Sequence, residues 1–480
     1  MHEKNYRVPS TDGHYDMVKE YVPIDPEAPY VHASEQAMDA FRDIKYAVRV
    51  HWGLYSIKNY NGESWAFLEM SHAEKHEYIE QYKQFDPQRF DAEAWMEFFK
   101  KCGFQAFAFT TKHHDGFSMY DTAARVKQRI NWQANPPCIE DCDQAFSVME
   151  SPFGRDIVKE LCEEAHKHDL KINLYYSHPD WYDADFRPYV YHPMVTPEVE
   201  EQLSPIEHFY YLKERSRRDI VIGPSKTPEQ TERMMKRHRD QLVEIITKYG
   251  KIDMVCLDMW FARDVWPQLK KTLEELRRLD PDIMLRARGI GNYGDYYTPE
   301  GFVPGAKENT DLPWMVIYPL GSSFSYDADG TKYKGARWIL DSLIGSICKG
   351  GSFMVAVGPD KDGQFHPEAV RQLEEAGEWV ERNAEAIYGT VAREGSLYCE
   401  FDSRFTVSKD GKTLYAFLGY WPEAGYYIRS AAPKAGTKVT MSGCDCAFDW
   451  SPVESGGFKI QVPNKPCCGE QAFYVFKIEL

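Results

Sequence analysis

The chain has 480 residues, enough for one large α/β domain and a smaller one, with 43% apolar and 14% aromatic residues. Its 57 Lys and Arg against 74 Asp and Glu leave a formal net charge of −17, which disfavours nucleic acid or an anionic membrane as partner and suits an uncharged substrate. Eleven cysteines are scattered without the spacings of a zinc ribbon, and the adjacent Cys467 and Cys468 and the near pair Cys444 and Cys446 would risk mispairing in a secreted protein, so a reducing compartment is expected.

The first residues, MHEKNYRVPSTDGHYDMVKEY, contain no apolar leader, and no stretch of the chain is apolar enough to span a bilayer. The expected location is cytoplasmic, or secreted or periplasmic if a leader has been removed.

From residue 46 onward, strand-like runs alternate with helix-like ones. The expected strands are YAVRVHWG (Tyr46 to Gly53), AFAFTTK (ending at Lys112), KINLYYS (Lys171 to Ser177), DMVCLDMW (Asp253 to Trp260), IMLRAR (Ile283 to Arg288), WMVIYPL (Trp314 to Leu320) and SFMVAVGP (Ser352 to Pro359). Between them lie amphipathic patterns at Asp91 to Cys102, Asp156 to Asp169, Glu232 to Gly250 and Pro267 to Asp280. This rhythm of βα units predicts a (β/α)8-like barrel, allowing for irregularity, rather than a doubly wound sheet. The segment Tyr182 to Gln230, rich in Pro and charge, reads as a long loop insertion near the site.

After the helical run Pro367 to Gly389 the pattern changes. A Lys-Asp-Gly turn between alternating strands and the closing run QAFYVFKIEL predict a small all-β sandwich over 393–480, leaving 1–392 as the barrel domain.

The polar residues converge on the strand ends. His51, His113, His114, Tyr175, Asp258 and Arg288 all close expected barrel strands, and the C-terminal rim of a parallel barrel is where ligands bind. For a single strand-end His or Tyr a satisfied hydrogen bond is the simpler reading; six at one rim point to a site. His113 and His114 are adjacent, and side chains of a regular strand alternate between faces, so both reach one ligand only if the strand ends before them. Asp258 lies in the apolar run VCLDMW, where an ionised carboxylate is costly unless paired. A buried ion pair with Arg286 or Arg288 would explain it, but a carboxylate there can also act as nucleophile or base. Glycoside chemistry needs a second carboxylic acid opposite, and the candidates are Asp115, Asp295, Glu300 and Glu308. Glu300 follows the loop GNYGDYYTP and can equally be a charge at a helix N-terminus.

Two further patterns are weaker. GIGNYG (Gly289 to Gly294) spells a dinucleotide fingerprint but precedes DYYTPEG rather than a helix. His51, His113 and His114 with Asp258 could hold a metal, but the first strand has no His-x-His, and adjacent histidines suit a spread of hydroxyls better than one coordination sphere.

HWGLYS, TTKHHDGFSMYDT, LYYS and LDMW strongly resemble the α-L-fucosidases of glycoside hydrolase family 29, over about His51 to Gly389. The resemblance implies a retaining exo-glycosidase acting on fucosylated oligosaccharides or glycoconjugates, without metal or organic cofactor. It implies Asp258 as nucleophile, His51, Trp65, His113, His114, Tyr175 and Arg288 as sugar-binding residues, and Glu300, in a loop ending TPE, as acid/base. The C5 methyl of fucose needs an apolar wall, for which Trp260, Phe117 or Trp314 are candidates. Where many relatives read PWE this chain has Met315, and Cys256 stands two residues before Asp258 where some carry an aromatic residue; both changes are expected to alter the sugar pocket. The alternatives are a related α-L-glycosidase such as an α-L-galactosidase, a metal-dependent barrel hydrolase, and a catalytically silent glycan-binding protein.

Overall fold

The computed structural model describes residues 4–198, 221–304, 310–394, 397–423 and 425–480. Seven parallel strands make one curled sheet: β1 (Tyr46–Val50), β2 (Ala106–Lys112), β3 (Lys171–Ser177), β4 (Met254–Asp258), β5 (Met284–Leu285), β6 (Met315–Pro319) and β7 (Ser352–Val357), in the order β6-β7-β1-β2-β3-β4-β5. All seven expected strands are present.

Between β5 and β6 no regular strand forms among the described residues. The gap is spanned by residues 296–300, which make isolated parallel bridges Arg286↔Tyr296, Tyr297↔Trp314 and Glu300↔Ile317. Tyr297 N–H donates to the Pro313 carbonyl at 3.1 Å, and Ile317 N–H to the Pro299 carbonyl at 3.2 Å. This short segment is the eighth stave of a (β/α)8 barrel, with the crossover helix before it reduced to a single 3-10 turn, Gly291–Tyr293. The GIGNYG run is that turn, so no helix follows it to receive a phosphate.

The period-two alternation of each strand sorts residues between two cores. Ala47, Ala106, Ala108, Met254, Met284, Met315, Met354 and Ala356 share an inner cluster, closed at the N-terminal end by Met38 and Phe41 of α1 (Glu35–Asp43). Val48, Phe107, Phe109, Leu174, Val255 and Leu257 point outward into the larger core, where full burial of such a side chain is worth about 1.5–3 kcal/mol. The crossover helices are α2 (Ala92–Lys101), α3 (Ile157–Lys167), α4 (Pro228–Thr247), α5 (Trp266–Leu279) and α6 (Ala336–Ile347), followed by α7 (Pro367–Arg382). Asp91 and Asp156 cap α2 and α3 through the amides of Ala94 and Lys159, and Thr227 with Gln230 forms a capping box on α4. None of the described helices is long and apolar enough to cross a membrane.

Two segments add to the expected pattern. Where it is described, the stretch after β3 is the expected loop beside the site, and it is packed rather than solvated: Asp183, Asp185 and Arg187 are buried, and Arg237 of α4 donates to Asp180 Oδ2 at 2.5 Å, drawing it down onto the barrel. Its end is the first turn of α4, and residues 199–220 of the expected insertion lie outside the described set. Residues Val126–Asn131 and Cys138–Gln144 also form an antiparallel hairpin that the strand patterns do not suggest.

The C-terminal region is all-β: a seven-stranded and a three-stranded antiparallel sheet share one apolar core, with Phe405, Leu414 and Phe476 facing Ile428 and Ile460. Its first strand, Thr390–Ala392, precedes the expected boundary yet pairs with Ser403–Ser408. The unit docks on the last helices: the Trp379 indole donates to the Phe473 carbonyl at 3.0 Å, and Arg404 pairs with Asp341 at 2.7 Å.

Candidate active site

Asp258 is the last residue of β4 and faces the barrel interior, its side chain 12% exposed. The chain reverses immediately after it. Met259 adopts φ +65°, a left-handed conformation that costs a non-glycine residue on the order of 1–3 kcal/mol and recurs at functional sites. Gly289 (φ +76°) lies against this turn, and a Cβ there would meet the Met259 carbonyl at 2.5 Å, so only glycine lets the chain after Arg288 come so close.

Tyr175, at the end of β3, donates its hydroxyl to Asp258 Oδ2 at 2.7 Å, and Arg288 donates Nη1 to Oδ1 at 2.7 Å. Arg286 Nη1 stands 3.5 Å from Oδ1 and His114 Nε2 is 4.0 Å from Oδ2. Burial alone would favour the neutral acid, but Arg288, then Arg286, His114 and Arg49, outweigh it and hold the carboxyl well below its usual range. Asp258 is therefore an ionised carboxylate with one oxygen held by a phenol and the other by a guanidinium.

Arg288 reaches further: its Nη2 donates to Glu300 Oε2. One planar guanidinium thus spans the strand-end aspartate and the glutamate of the eighth stave, which places the two carboxyl groups at opposite ends of a single fork. Glu300 keeps 36% of its side-chain surface open. Burial raises its proton affinity, but the attraction of Arg288 and Arg286 prevails and brings it down to about 2 while this ion pair is made.

The histidines surround Asp258 on the β1–β2 side. β2 ends at Lys112, so His113 and His114 both leave the strand and turn into the site, with ring centroids 4.2 Å apart. His113 Nδ1 bonds the Ser64 hydroxyl, its ring stacks on Tyr175 at 5.5 Å, and His51 Nδ1 lies 3.0 Å from Thr110 Oγ1. Burial, then neighbouring charge, pushes His51 and His113 well below the ordinary imidazole value; His114 falls to about 4 through burial against the pull of Asp258. All three are neutral near pH 7 and so can both donate and accept. His114 Nδ1 is buried with no hydrogen-bond partner among the described residues.

A cavity of about 440 Å³ opens above Glu300, lined by Trp65, Tyr191, Trp260, Pro299 and the N-terminal residues Thr11 to His14. Trp65 stands edge-on to His114 with centroids 4.9 Å apart, and Trp260 packs on Tyr191 at 6.1 Å. The structure thus assembles His51, Trp65, His113, His114, Tyr175, Asp258, Trp260, Arg288 and Glu300 at one rim.

Other candidates lie elsewhere. Phe117 is in the core between Phe85 and Phe146, and Trp314 precedes β6 at the N-terminal end of the barrel, so neither walls this cavity. Asp115 accepts from the Tyr78 hydroxyl at 2.6 Å, and Asp295 is fully buried against Arg277 and the amides of Ala33 and Leu285. Both carboxylates are consumed by the scaffold, and Glu308 lies outside the described residues. Met315 sits in the inner apolar cluster near the floor of the barrel, away from the cavity. Cys256, one inward position below Asp258, accepts from Arg286 Nη1 at 3.2 Å; it supports an arginine rather than lining the pocket.

Sequence reasoning missed Arg49, whose guanidinium lies 4.4 Å over the Tyr175 ring, as well as Trp181, Tyr191 and the segment around His14. Arg49 was legible as a charge at an inward position of an apolar strand. The other three carry no local signal, because they reach the rim from loops. As for a metal, among the described residues the one group of three ligand-type side chains close enough to share an ion is Cys444, Cys467 and Cys468 in the β domain.

A parallel barrel with an ionised strand-end aspartate, a second carboxylate across an arginine and a rim of neutral imidazoles and indoles is the architecture of a barrel glycosidase. The comparison with known proteins narrows this: the family model described as alpha-L-fucosidase matches residues 27–385, that of the alpha-L-fucosidase C-terminal domain matches 399–479, and the chain belongs to the α-L-fucosidase family. It is similar to the tissue alpha-L-fucosidase of Bos taurus, 24% identical over 92% of this chain and 87% of the relative, and to the plasma alpha-L-fucosidase of Homo sapiens, 24% identical over 88% and 85%. Among solved structures, alpha-L-fucosidase isoenzyme 1 from Paenibacillus thiaminolyticus superposes with a TM-score of 0.73 at 21% identity, covering 93% of this chain and 99% of that one. A family 29 alpha-L-fucosidase from Bacteroides thetaiotaomicron, trapped as a covalent intermediate, superposes with a TM-score of 0.72 at 19% identity, covering 96% and 98%.

Proposed function

We propose that this chain hydrolyses terminal α-L-fucosides of oligosaccharides or glycoconjugates with retention, using Asp258 as nucleophile and Glu300 as acid/base. The observation that carries the assignment is the Arg288 fork between the two carboxylates. Asp258 Oδ attacks the anomeric carbon while the glycosidic oxygen leaves with the Glu300 proton, giving a glycosyl ester; water then opens the ester and gives its proton to Glu300. For this the carboxyl groups work at about 5–5.5 Å.

Glu300 cannot donate a proton while Arg288 holds it ionised. An arriving aglycone oxygen that separates Glu300 from Arg288 removes that attraction, and burial then favours the acid. Once Asp258 is esterified its negative charge is gone, and Arg288 is free to stabilise the Glu300 carboxylate that serves as base. His51, His113 and His114, neutral and able to donate and accept, suit the ring hydroxyls; Trp65 and Trp260 offer the apolar wall for the C5 methyl.

The test is hydrolysis of a nitrophenyl α-L-fucoside by the wild type, with and without EDTA, and by Asp258→Ala. Turnover indifferent to EDTA, first release of α-L-fucose, and a loss of roughly 10⁴-fold or more in the variant support the assignment. A wild type inactive on this substrate but active on an α-L-galactoside would move the specificity; inactivation by EDTA would overturn the mechanism.

A further inference from the structure

Away from the barrel, four cysteine sulfurs gather at one corner of the β domain. Cys444 and Cys446 lie on the strand Cys444–Phe448, two residues apart and therefore on the same face, which is the half-buried face against the domain core. Cys467 and Cys468 arrive together in the loop before the last strand, Tyr474–Glu479. Cys446 is disulfide-bonded to Cys467 with Cα atoms 6.5 Å apart, while Cys444 and Cys468 keep free thiols. The sulfurs of Cys444, Cys467 and Cys468 lie within 4.8 Å of one another, and the bond to Cys467 brings the Cys446 sulfur to the same place.

One disulfide uses only half of this cluster. Four thiolates around a tetrahedral zinc ion, with Zn–S near 2.3 Å, need sulfur–sulfur separations of roughly 3.8 Å, so three of these sulfurs are already within about 1 Å of the required spacing. The two pairs come from different parts of the chain, a strand and a loop, as in structural zinc sites that tie two segments together. Gly469, directly after the pair, has φ +76°, which lets the loop turn away behind the sulfurs.

We propose that Cys444, Cys446, Cys467 and Cys468 form a structural tetrathiolate site for a thiophilic divalent cation of the zinc class, filled when the Cys446–Cys467 bond is reduced. The site stands apart from the fucosidase assignment and does not depend on it. The reductant is a dithiol, which supplies two electrons and two protons. The S–S bond breaks to leave Cys446 and Cys467 as thiols while the dithiol closes to its own disulfide. Binding of the cation then displaces the four thiol protons to solvent. In an oxidising medium the same residues hold the disulfide, so one corner has two covalent states, each joining the loop to the strand.

The experiment uses the full-length protein, reduced with a dithiol, desalted without oxygen and titrated with Co²⁺ and then Zn²⁺. The expected result is one Co²⁺ per chain with thiolate-to-cobalt charge-transfer and tetrahedral d–d bands, displaced stoichiometrically by Zn²⁺, and no such bands in unreduced protein. In the Cys444→Ser/Cys468→Ser variant, which keeps the disulfide pair, binding should weaken at least about a hundredfold, since loss of outer-shell partners alone costs 10–100-fold. Far-UV circular dichroism of the variant checks its fold, and the wild-type titration reads the site without it. Reduced wild type without the cobalt bands, bands unchanged in the variant, or a Cys444–Cys468 disulfide that survives the dithiol would each overturn the proposal.

Discussion

The two halves of the barrel are built by different rules. From β7 through β1 to β4 the strands are regular, each is followed by a crossover helix or its equivalent, and the inward positions alternate along the chain. From β5 to β6 the wall is two paired residues, a 3-10 turn and three isolated bridges. The regular half presents the ionised aspartate with its tyrosine and histidines, groups that must stay fixed. The irregular half presents Glu300, which in the proposed mechanism lets go of Arg288 and changes protonation. Rigidity and irregularity are thus divided between the two carboxylates, and the arginine on the boundary touches both.

The sharpest way to break this division is at Glu300. Glu300→Gln should lower kcat/KM by about 10²–10⁴-fold on fucosides with poor leaving groups and far less on a nitrophenyl fucoside, which needs little protonation. Equal losses on both substrates would move the acid/base role elsewhere. Next comes the anchor of the irregular half. Arg277 pairs with Asp295, both buried, just before the eighth stave, and Arg277→Met should destabilise the protein by about 3–5 kcal/mol because it leaves a buried carboxylate unpaired. Chemical denaturation measures this, and activity should fall at denaturant concentrations where the regular half is still folded.

Linkage at His114 is smaller and belongs to the regular half. Its folded value near 4 lies below the unfolded value near 6.5, so between these the unfolded chain binds a proton that the fold refuses. Stability is therefore lost as pH falls from about 6.5 to 4, by up to about 1.4 kcal/mol per pH unit for one proton. His114→Gln removes that contribution, and the gap in melting temperature between variant and wild type should close toward pH 4; a gap constant with pH refutes the assignment. Smallest is Met315→Leu, a volume-conserving change on the barrel floor, expected to cost less than about 1.5 kcal/mol and to leave KM unchanged. A shifted KM would show that the floor communicates with the sugar.

What the sequence disclosed follows the same division. The seven strands, the helices between them and the rim residues His51, His113, His114, Tyr175 and Asp258 were legible because alternation and amphipathic spacing are local signals. Arg288 was visible because it closes the strand-like run IMLRAR. Glu300 was one of four candidate acids by loop position, and only the resemblance to a family loop singled it out, since a stave held by three bridges has no periodicity to read. Met315 and Cys256 were expected to alter the sugar pocket because they depart from the motifs of relatives, and a motif comparison does not give depth along the barrel axis. Trp181, Tyr191 and His14 come from segments whose position is set by tertiary contacts such as Arg237 with Asp180.

The Arg288 fork also bears on how tightly any sugar can be held. In the resting protein the proposed acid/base, Glu300, is already occupied by an internal cation, so on that proposal only the fraction of molecules with Glu300 released is competent, and the observed affinity is the intrinsic one reduced by that fraction. Ligands that carry their own positive charge at the anomeric position can replace the guanidinium on Glu300 instead of merely evicting it. A protonated iminosugar of the fuco configuration should therefore gain over its neutral carbocyclic counterpart, and the gain should shrink in a variant where position 288 no longer bridges the two carboxylates.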